Sequence, residues 1–272
     1  MHFQRILLMT DFSEDARHAL AYGLQLAKLA RAQVWVQHVY YIPPDWAGEV
    51  SIPREALQNY QQQMYREFET IRQKLAMSPD VQLLIEHGDL IEQMNALIDR
   101  EHIDLVVVGN RGKGFLTNLL GSNTVKIIHH AHCSVLAVPE QATFPPFQRI
   151  VFAADLQGLS PPVLSYISQF TQHFPAPVDI MHVYQEGDHD IENPQRLDKI
   201  FDRVPHTFYY EWTEDVEEGI QRHIEEHGND LLMLVPRAHP LFDTLFQRSI
   251  SRKLAYHSRV PLLAIRDPTA QQ

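Results

Sequence analysis

The stretch Phe3-Gln-Arg-Ile-Leu-Leu-Met-Thr-Asp-Phe-Ser13 opens with a tetrapeptide that returns as Phe147-Gln-Arg-Ile150, an offset of 144 residues. Asp11 and Asp155 keep that offset, and so do His38-Val39-Tyr40 and His182-Val183-Tyr184. Farther on, Asp104-Leu105 pairs with Asp230-Leu231 at an offset of 126, so the second copy lacks 18 residues from the segment of about Ile42 to Ala76. Lys126 with Lys253 and His130 with His257 stand 127 apart. Chance matches do not keep this order, and a repeated unit is the simplest account. The connector Gln141-Ala-Thr-Phe-Pro-Pro146 then divides the chain into a domain over 1–140 and a second over 147–267.

The hydrophobic pattern within each copy alternates strands with helices. Ile6–Thr10 reads as a buried strand. Ser13 is a good N-cap, with Glu14 and Asp15 favourable in the first turn, and an apolar stripe from Ala16 through Leu29 carries a helix to about Ala30. Strands are expected at Gln33–Val39, Val81–Ile85, Ile103–Val108 and Val135–Val138, and helices at Arg54–Ala76, from Gly88-Asp89 to about Arg100, and from Ser122. The second copy repeats the plan with strands at Ile150–Ala154, Asp179–Val183, Leu231–Val235 and Pro261–Ile265. Its helices open at Ser160-Pro161 and, capped by Thr213, at Glu214. Strands alternating with helices predict an α/β fold, two tandem doubly wound parallel-sheet domains joined by right-handed crossovers. Ligands of such sheets bind beyond the carboxyl ends of the strands, which puts Asp11, Val39 and the loop after Val108 on one rim.

Composition narrows the function. Hydrophobic residues make up 44% of the 272 and charged residues 21%, which suits a soluble globular chain. A net charge of −11 argues against nucleic acid, whose phosphates need clustered cations. Apolar runs such as Leu105–Val108 and Val260–Ile265 fall far short of the roughly 20 residues a spanning helix needs, so no membrane partner is expected. Asp11 and Ser13 interrupt the N-terminal apolar run, which argues against a signal peptide. The lone Cys133 excludes an internal disulfide and suits the cytoplasm.

The chemistry sits in Val108-Gly-Asn-Arg-Gly-Lys-Gly-Phe-Leu-Thr-Asn-Leu-Leu-Gly-Ser-Asn-Thr124. Gly109 and Gly112 follow a buried strand and Gly121-Ser122 precede a helix, so backbone N–H groups can approach an anion closely. No Gly-Lys-Ser/Thr closes the segment, so it is not a Walker loop. The loop resembles the G-x2-G-x9-G-(S/T) signature of the universal stress protein family, and Thr10-Asp-Phe-Ser13 and His38-Val39 resemble that family's other motifs. The resemblance implies an adenine nucleotide α-hydrolase-like fold and a site for ATP or another adenine nucleotide. By it, Asp11 contacts the nucleoside, the Val39 backbone lines the adenine, and Gly109, Gly112, Gly121 and Ser122 take the ribose and phosphates. It also implies pairing of the two copies through Val135–Val138 and Pro261–Ile265, an intramolecular pseudo-dimer.

Two departures qualify this. Gly112 and Gly121 enclose eight residues, Lys113 to Leu120, where the family pattern has nine. The second copy keeps nine, in Val235-x2-Ala238-x9-Arg248-Ser249, yet has no glycine there, and Pro236 and Pro240 each remove an N–H donor. ATP is therefore expected in the first domain only. No nucleophile with a base, paired carboxylates or Mg²⁺ set for phosphoryl transfer appears, so no catalytic residues are assigned. His129-His130-Ala-His132-Cys133 offers zinc-type ligands, but neighbours on a helix diverge, so no metal is expected. Two functions stay open: a stress-response regulator binding an adenine nucleotide, and an interaction module presenting the same fold to an unknown protein partner. A hydrolase or transferase is the weaker third.

Overall fold

A computed structural model of the chain describes residues 3–41, 54–78, 80–110, 122–144, 147–153, 159–184, 201, 204–236 and 260–269. Ile6 and Leu8 of strand β1 (Arg5–Met9) pack into one hydrophobic layer, and Leu7 and Met9 into another on the opposite face of the sheet. A strand buried on both faces needs helices on both. Helices α1 (Glu14–Ala30) and α2 (Arg54–Lys74) cover the first face through Leu20, Leu26, Met64 and Phe68. Helices α3 (Leu90–Glu101) and α4 (Ser122–His130) cover the second through Met94, Leu97 and Ile127. Between them run β2 (Gln33–Tyr40), β3 (Gln82–His87), β4 (Leu105–Gly109) and β5 (Ser134–Val138), all parallel.

The C-terminal half continues with β6 (Ile150–Ala153), α5 (Pro161–His173), β7 (Val178–Tyr184), β8 (His206–Trp212), α6 (Val216–His227), β9 (Leu231–Leu234) and β10 (Leu262–Ala264). The described strands form one ten-stranded sheet in the order β3-β2-β1-β4-β5-β10-β9-β6-β7-β8. The second five mirror the first about the β5–β10 seam, which is antiparallel, with Leu136 opposite Leu263. Phe3 crosses the seam: its ring meets Tyr166 and Phe170 of α5 edge-on at 5.3 and 5.4 Å.

The halves repeat each other down to single bonds. The Asp104 carboxylate accepts from the N–H groups of Gln4 and Arg5 at 2.9 and 3.0 Å, and Asp230 does the same for Gln148 and Arg149 at 2.6 and 3.2 Å. Ser13 Oγ caps α1 by accepting from Ala16 N–H at 3.2 Å, and Ser160 Oγ caps α5.

Two expectations need correction. Asp215, not Thr213, caps α6: its Oδ1 accepts from Glu217 and Glu218 N–H at 3.1 and 3.3 Å, as Asp89 does for Ile91 and Glu92 at 2.9 and 3.1 Å. Thr213 closes the turn before it, its Oγ1 accepting from Asp215 N–H. The 126-residue offset that joins Asp104 to Asp230 also joins Asp89 to Asp215, so the repeat carried this signal. Strand β8 was not foreseen. Its run of Phe208, Tyr209 and Tyr210 puts aromatics on both faces and hides the polar–apolar alternation, although their β-propensity is high. Lys253 and His257, the repeat partners of Lys126 and His130, lie outside the described residues.

Candidate functional site

The rim at the carboxyl ends of the N-terminal strands begins where β1 stops. Thr10 N–H still donates to Gln37 O at 3.0 Å, extending the ladder by one residue. The chain then turns at Phe12, a buried residue in the left-handed region with φ 61°. For a bulky side chain that conformation costs on the order of 1–3 kcal/mol and is kept where surroundings enforce it. Here Phe12 N–H donates to Thr10 Oγ1 at 3.0 Å, Ser13 N–H donates to Asp11 Oδ1 at 2.9 Å, and the Phe12 ring lies 5.0 Å from that of His38. Stored strain at a strand end beside a half-exposed carboxylate marks this turn as a candidate site.

His38 holds the rim together from β2. Its Nδ1 lies 2.8 Å from Thr10 O, and because a carbonyl only accepts, Nδ1 carries the proton. Nε2 lies 2.9 Å from the Tyr60 hydroxyl of α2. Burial pushes the Tyr60 phenol up, with Tyr40 and Glu67 adding to the effect, so it stays a donor. His38 therefore bonds to backbone and scaffold, in keeping with a positioning histidine. Val39 follows it, half-buried, and Tyr40 O accepts from Gly88 N–H at 3.1 Å. Sequence reasoning missed Tyr60. The spacing of Tyr60, Met64, Phe68 and Ile71 marks one helix face and could have pointed to it.

Gly109 ends β4 against the first turn of α1. A Cβ there would lie 3.1 Å from Asp15 O and 3.3 Å from Ala16 N, so glycine lets β4 and the α1 backbone approach more closely than a side chain would without a shift of a few tenths of an ångström. Thr124, buried in the first turn of α4, donates its hydroxyl to Gly109 O at 2.9 Å. That bond draws the N-terminus of a nine-residue helix to the strand end behind Asp11 and Ser13. The structure thus brings Asp11, Val39, Gly109 and the helix start at Ser122 to one rim. Gly112 and Gly121 lie outside the described residues.

The C-terminal rim is built differently. Val235 is buried where the 126-residue offset puts Gly109, and Pro236 stands where Asn110 donates its N–H to Val138 O at 3.0 Å. Helix α5 begins three residues later than the 144-residue offset from Glu14 would place it. Asp155, Ala238, Arg248 and Ser249 lie outside the described residues.

At the far end of α4, His132 Nδ1 turns to Asp99 of α3 at 3.0 Å, and Asn95 clasps His130 O and His132 N–H at 2.8 and 3.0 Å. Burial pushes the Cys133 thiol up, with Asp104 adding to it, so the thiolate form that binds metal is disfavoured. No described helix is long and apolar enough to cross a membrane.

The universal stress protein family profile matches residues 2–139. Universal stress protein A homolog 1 of Coxiella burnetii is 32% identical over 142 residues, 97% of that protein and 51% of this chain. A universal stress protein of Thermus aquaticus is 32% identical over 139 residues, 98% of that protein and 50% of this chain. Among solved structures, a universal stress protein from Archaeoglobus fulgidus aligns over 97% of both chains with a TM-score of 0.75 at 18% identity, a likeness of fold alone.

Proposed function

This chain belongs to the universal stress protein family, and on that premise we propose that it is a cytoplasmic stress-response regulator built of two domains, 1–140 and 147–267. The first domain binds ATP or another adenine nucleotide, and the second binds none. The observation that carries this reading is the convergence of Asp11, Val39, Gly109 and the α4 N-terminus on one strained rim, clamped by Thr124 and His38. Helix N-terminal N–H groups favour phosphate, and the Asp11 carboxylate can accept from ribose hydroxyls. Gly112, Gly121 and Ser122 would complete the phosphate cradle. In the second domain Val235 and Pro236 oppose such a cradle by bulk and by a missing donor.

The nucleotide serves as a regulatory ligand, a reading supported by the described residues of the rim, among which no nucleophile–base pair or acid–base pair of carboxylates stands. The antiparallel β5–β10 pairing supports reading the two domains as an intramolecular pseudo-dimer. A short connector keeps their effective concentration high. Nucleic acid is disfavoured as a partner by the charge of −11.

Mass spectrometry of gently purified protein should detect a co-purified adenine nucleotide, and calorimetry should return one site per chain. Two equivalent sites would refute the assignment to the first domain. The eight-residue Lys113–Leu120 segment favours a second reading, a partner-binding module that holds no nucleotide. It prevails if millimolar ATP, ADP and AMP all fail to bind.

A further inference from the structure

Where the N-terminal half has Trp35, Leu84, Leu97 and Ile103 packed in one apolar layer, register and offset place Asp179, Tyr209, His223 and Asn229 in the C-terminal half. Asp179 and His223 are 2% and 3% exposed as side chains. Arg149 grips the Asp179 carboxylate through Nε at 2.8 Å and Nη2 at 3.0 Å, and Nη2 also reaches the Tyr209 hydroxyl at 3.1 Å. Asn229 Nδ2 donates to Asp179 Oδ2 at 2.8 Å, and His223 Nε2 lies 3.3 Å from the same oxygen. One turn along α6, the His227 ring stacks on His223 at 4.0 Å and 19°, and the Tyr209 ring stands edge-on to both at 4.6 and 4.8 Å.

Charge counting gives this cluster its property. Asp179 and Arg149 cancel, so the buried group carries no net charge while His223 is neutral. The carboxylate accepts from His223 Nε2, and the His223 carbonyl accepts from His227 Nδ1 at 3.1 Å, so each ring already commits one N–H. A further proton creates a net positive charge in a packed interior, against Arg149 and a stacked second imidazole. Every packed element contributes a facing group: Arg149 from the head of β6, Asp179 from β7, Tyr209 from β8, Asn229 from the entry to β9, and His227 from α6 itself, while the Asp230 carboxylate is taken up by the Gln148 and Arg149 N–H groups. Burial, then His227, holds His223 below the ordinary imidazole range, and the pull of Asp179 does not offset them.

We propose that this cluster is an acid-sensitive lock on the C-terminal half, in which protonation of His223, packed against Arg149 and the His227 ring, loosens α6 from β7 and β8 while the apolar N-terminal counterpart stays closed. The direction follows from linkage. A histidine whose folded-state proton affinity is lowered binds protons more readily when unfolded, so stability falls as pH drops below about 6.5, the ordinary imidazole value. The lock sits on β6, β7 and β8, on the far side of β9 and the seam from β1, β2 and β4, and shares no residue with the nucleotide rim, so its test is separate from that of nucleotide binding.

The full chain tests it in two ways. NMR titration of the wild type should place the His223 midpoint below about 6.5, and a midpoint at or above that value overturns the proposal. Amide exchange, corrected for its intrinsic pH dependence, should accelerate at least about tenfold in α6 and β8 relative to α3 and β3 between pH 7.5 and 5.5, one pKa unit being tenfold. His223→Gln keeps a donor without titrating and should flatten that difference. Equal acceleration in both halves, or an unchanged difference in His223→Gln, overturns the lock. The wild-type titration decides alone if the variant does not fold.

Discussion

Leu263 of β10 lies opposite Leu136 of β5 in the antiparallel ladder, and both side chains are fully buried. Every other pairing in the sheet is parallel, so this seam is where two five-stranded arrays become one sheet. A parallel array ended at β5 would expose an edge, which invites pairing by another chain. Here the chain supplies the partner strand itself.

Leu263→Ala should therefore destabilise by about 2–5 kcal/mol, the range for truncating a buried leucine. Urea unfolding by circular dichroism would read it as a lower midpoint. The wild type should unfold in one transition, because Phe3 and the seam couple the halves; two resolved wild-type transitions would contradict that coupling.

Gly109→Val imports the residue that the C-terminal half has at this place. A Cβ 3.1 Å from Asp15 O asks the first turn of α1 to give by a few tenths of an ångström, and the expected overpacking penalty is about 1–3 kcal/mol. Nucleotide affinity should fall with it, because Asp11 and Ser13 belong to the displaced turn. Paired denaturation and calorimetry measure both effects.

Thr124→Val keeps the shape but removes the hydroxyl that reaches Gly109 O. A buried carbonyl left without its partner costs about 1–3 kcal/mol. Because the bond fixes the α4 start, ATP affinity should drop by more than adenosine affinity. An equal drop for both would mean that α4 does not face the phosphates.

Arg149→Met leaves Asp179 buried without its cation, a change that costs about 3–5 kcal/mol near neutral pH for a fully buried pair. The arginine is partly exposed, and the lower end applies. The Asp179 carboxyl is held below its ordinary value in the folded chain: burial opposes the charge, but the Arg149 and Asn229 hydrogen bonds overcome it. Its stabilisation is thus present above the unfolded value of about 3.9 and lost as pH falls through the folded value. The penalty of Arg149→Met should shrink below pH 4, and denaturation midpoints across pH 3–7 would show it.

One residue inserted after Gly114 restores the nine-residue loop. Each residue adds at most about 3.8 Å of reach, comparable to a hydrogen bond. The wild type should prefer ATP to AMP only modestly, and the insertion should widen that preference. Titrations with ATP, ADP and AMP compare the two proteins.

The sequence legibly carried the architecture because most strands and several helix starts recur in the second half at fixed offsets. Ser13 and Asp89 announce their helices by side-chain chemistry next to them in the chain, and Ile103–Val108 announces a doubly covered strand by unbroken hydrophobicity. Strand β8 escaped because its aromatics serve both faces, and the α6 cap was assigned to Thr213 because only the folded turn shows that Asp215 receives the two N–H groups. At the rim, Asp11, Val39 and Gly109 were readable as strand ends, whereas Tyr60 reaches His38 from 22 residues away and Thr124 reaches Gly109 from 15.

By itself the sequence determined the two copies, their order of strands and helices, the family they resemble and the loss of glycines from the second loop. Those properties are local or repeated, so period, capping chemistry and spacing express them. Only the tertiary structure decided that Phe12 stores strain beside Asp11, that Gly109 packs closely against the backbone of α1, and that Arg149, Asp179, His223 and Asn229 meet in one buried cluster. These depend on groups from distant segments arriving within hydrogen-bond reach, a condition that packing imposes and one-dimensional spacing does not encode.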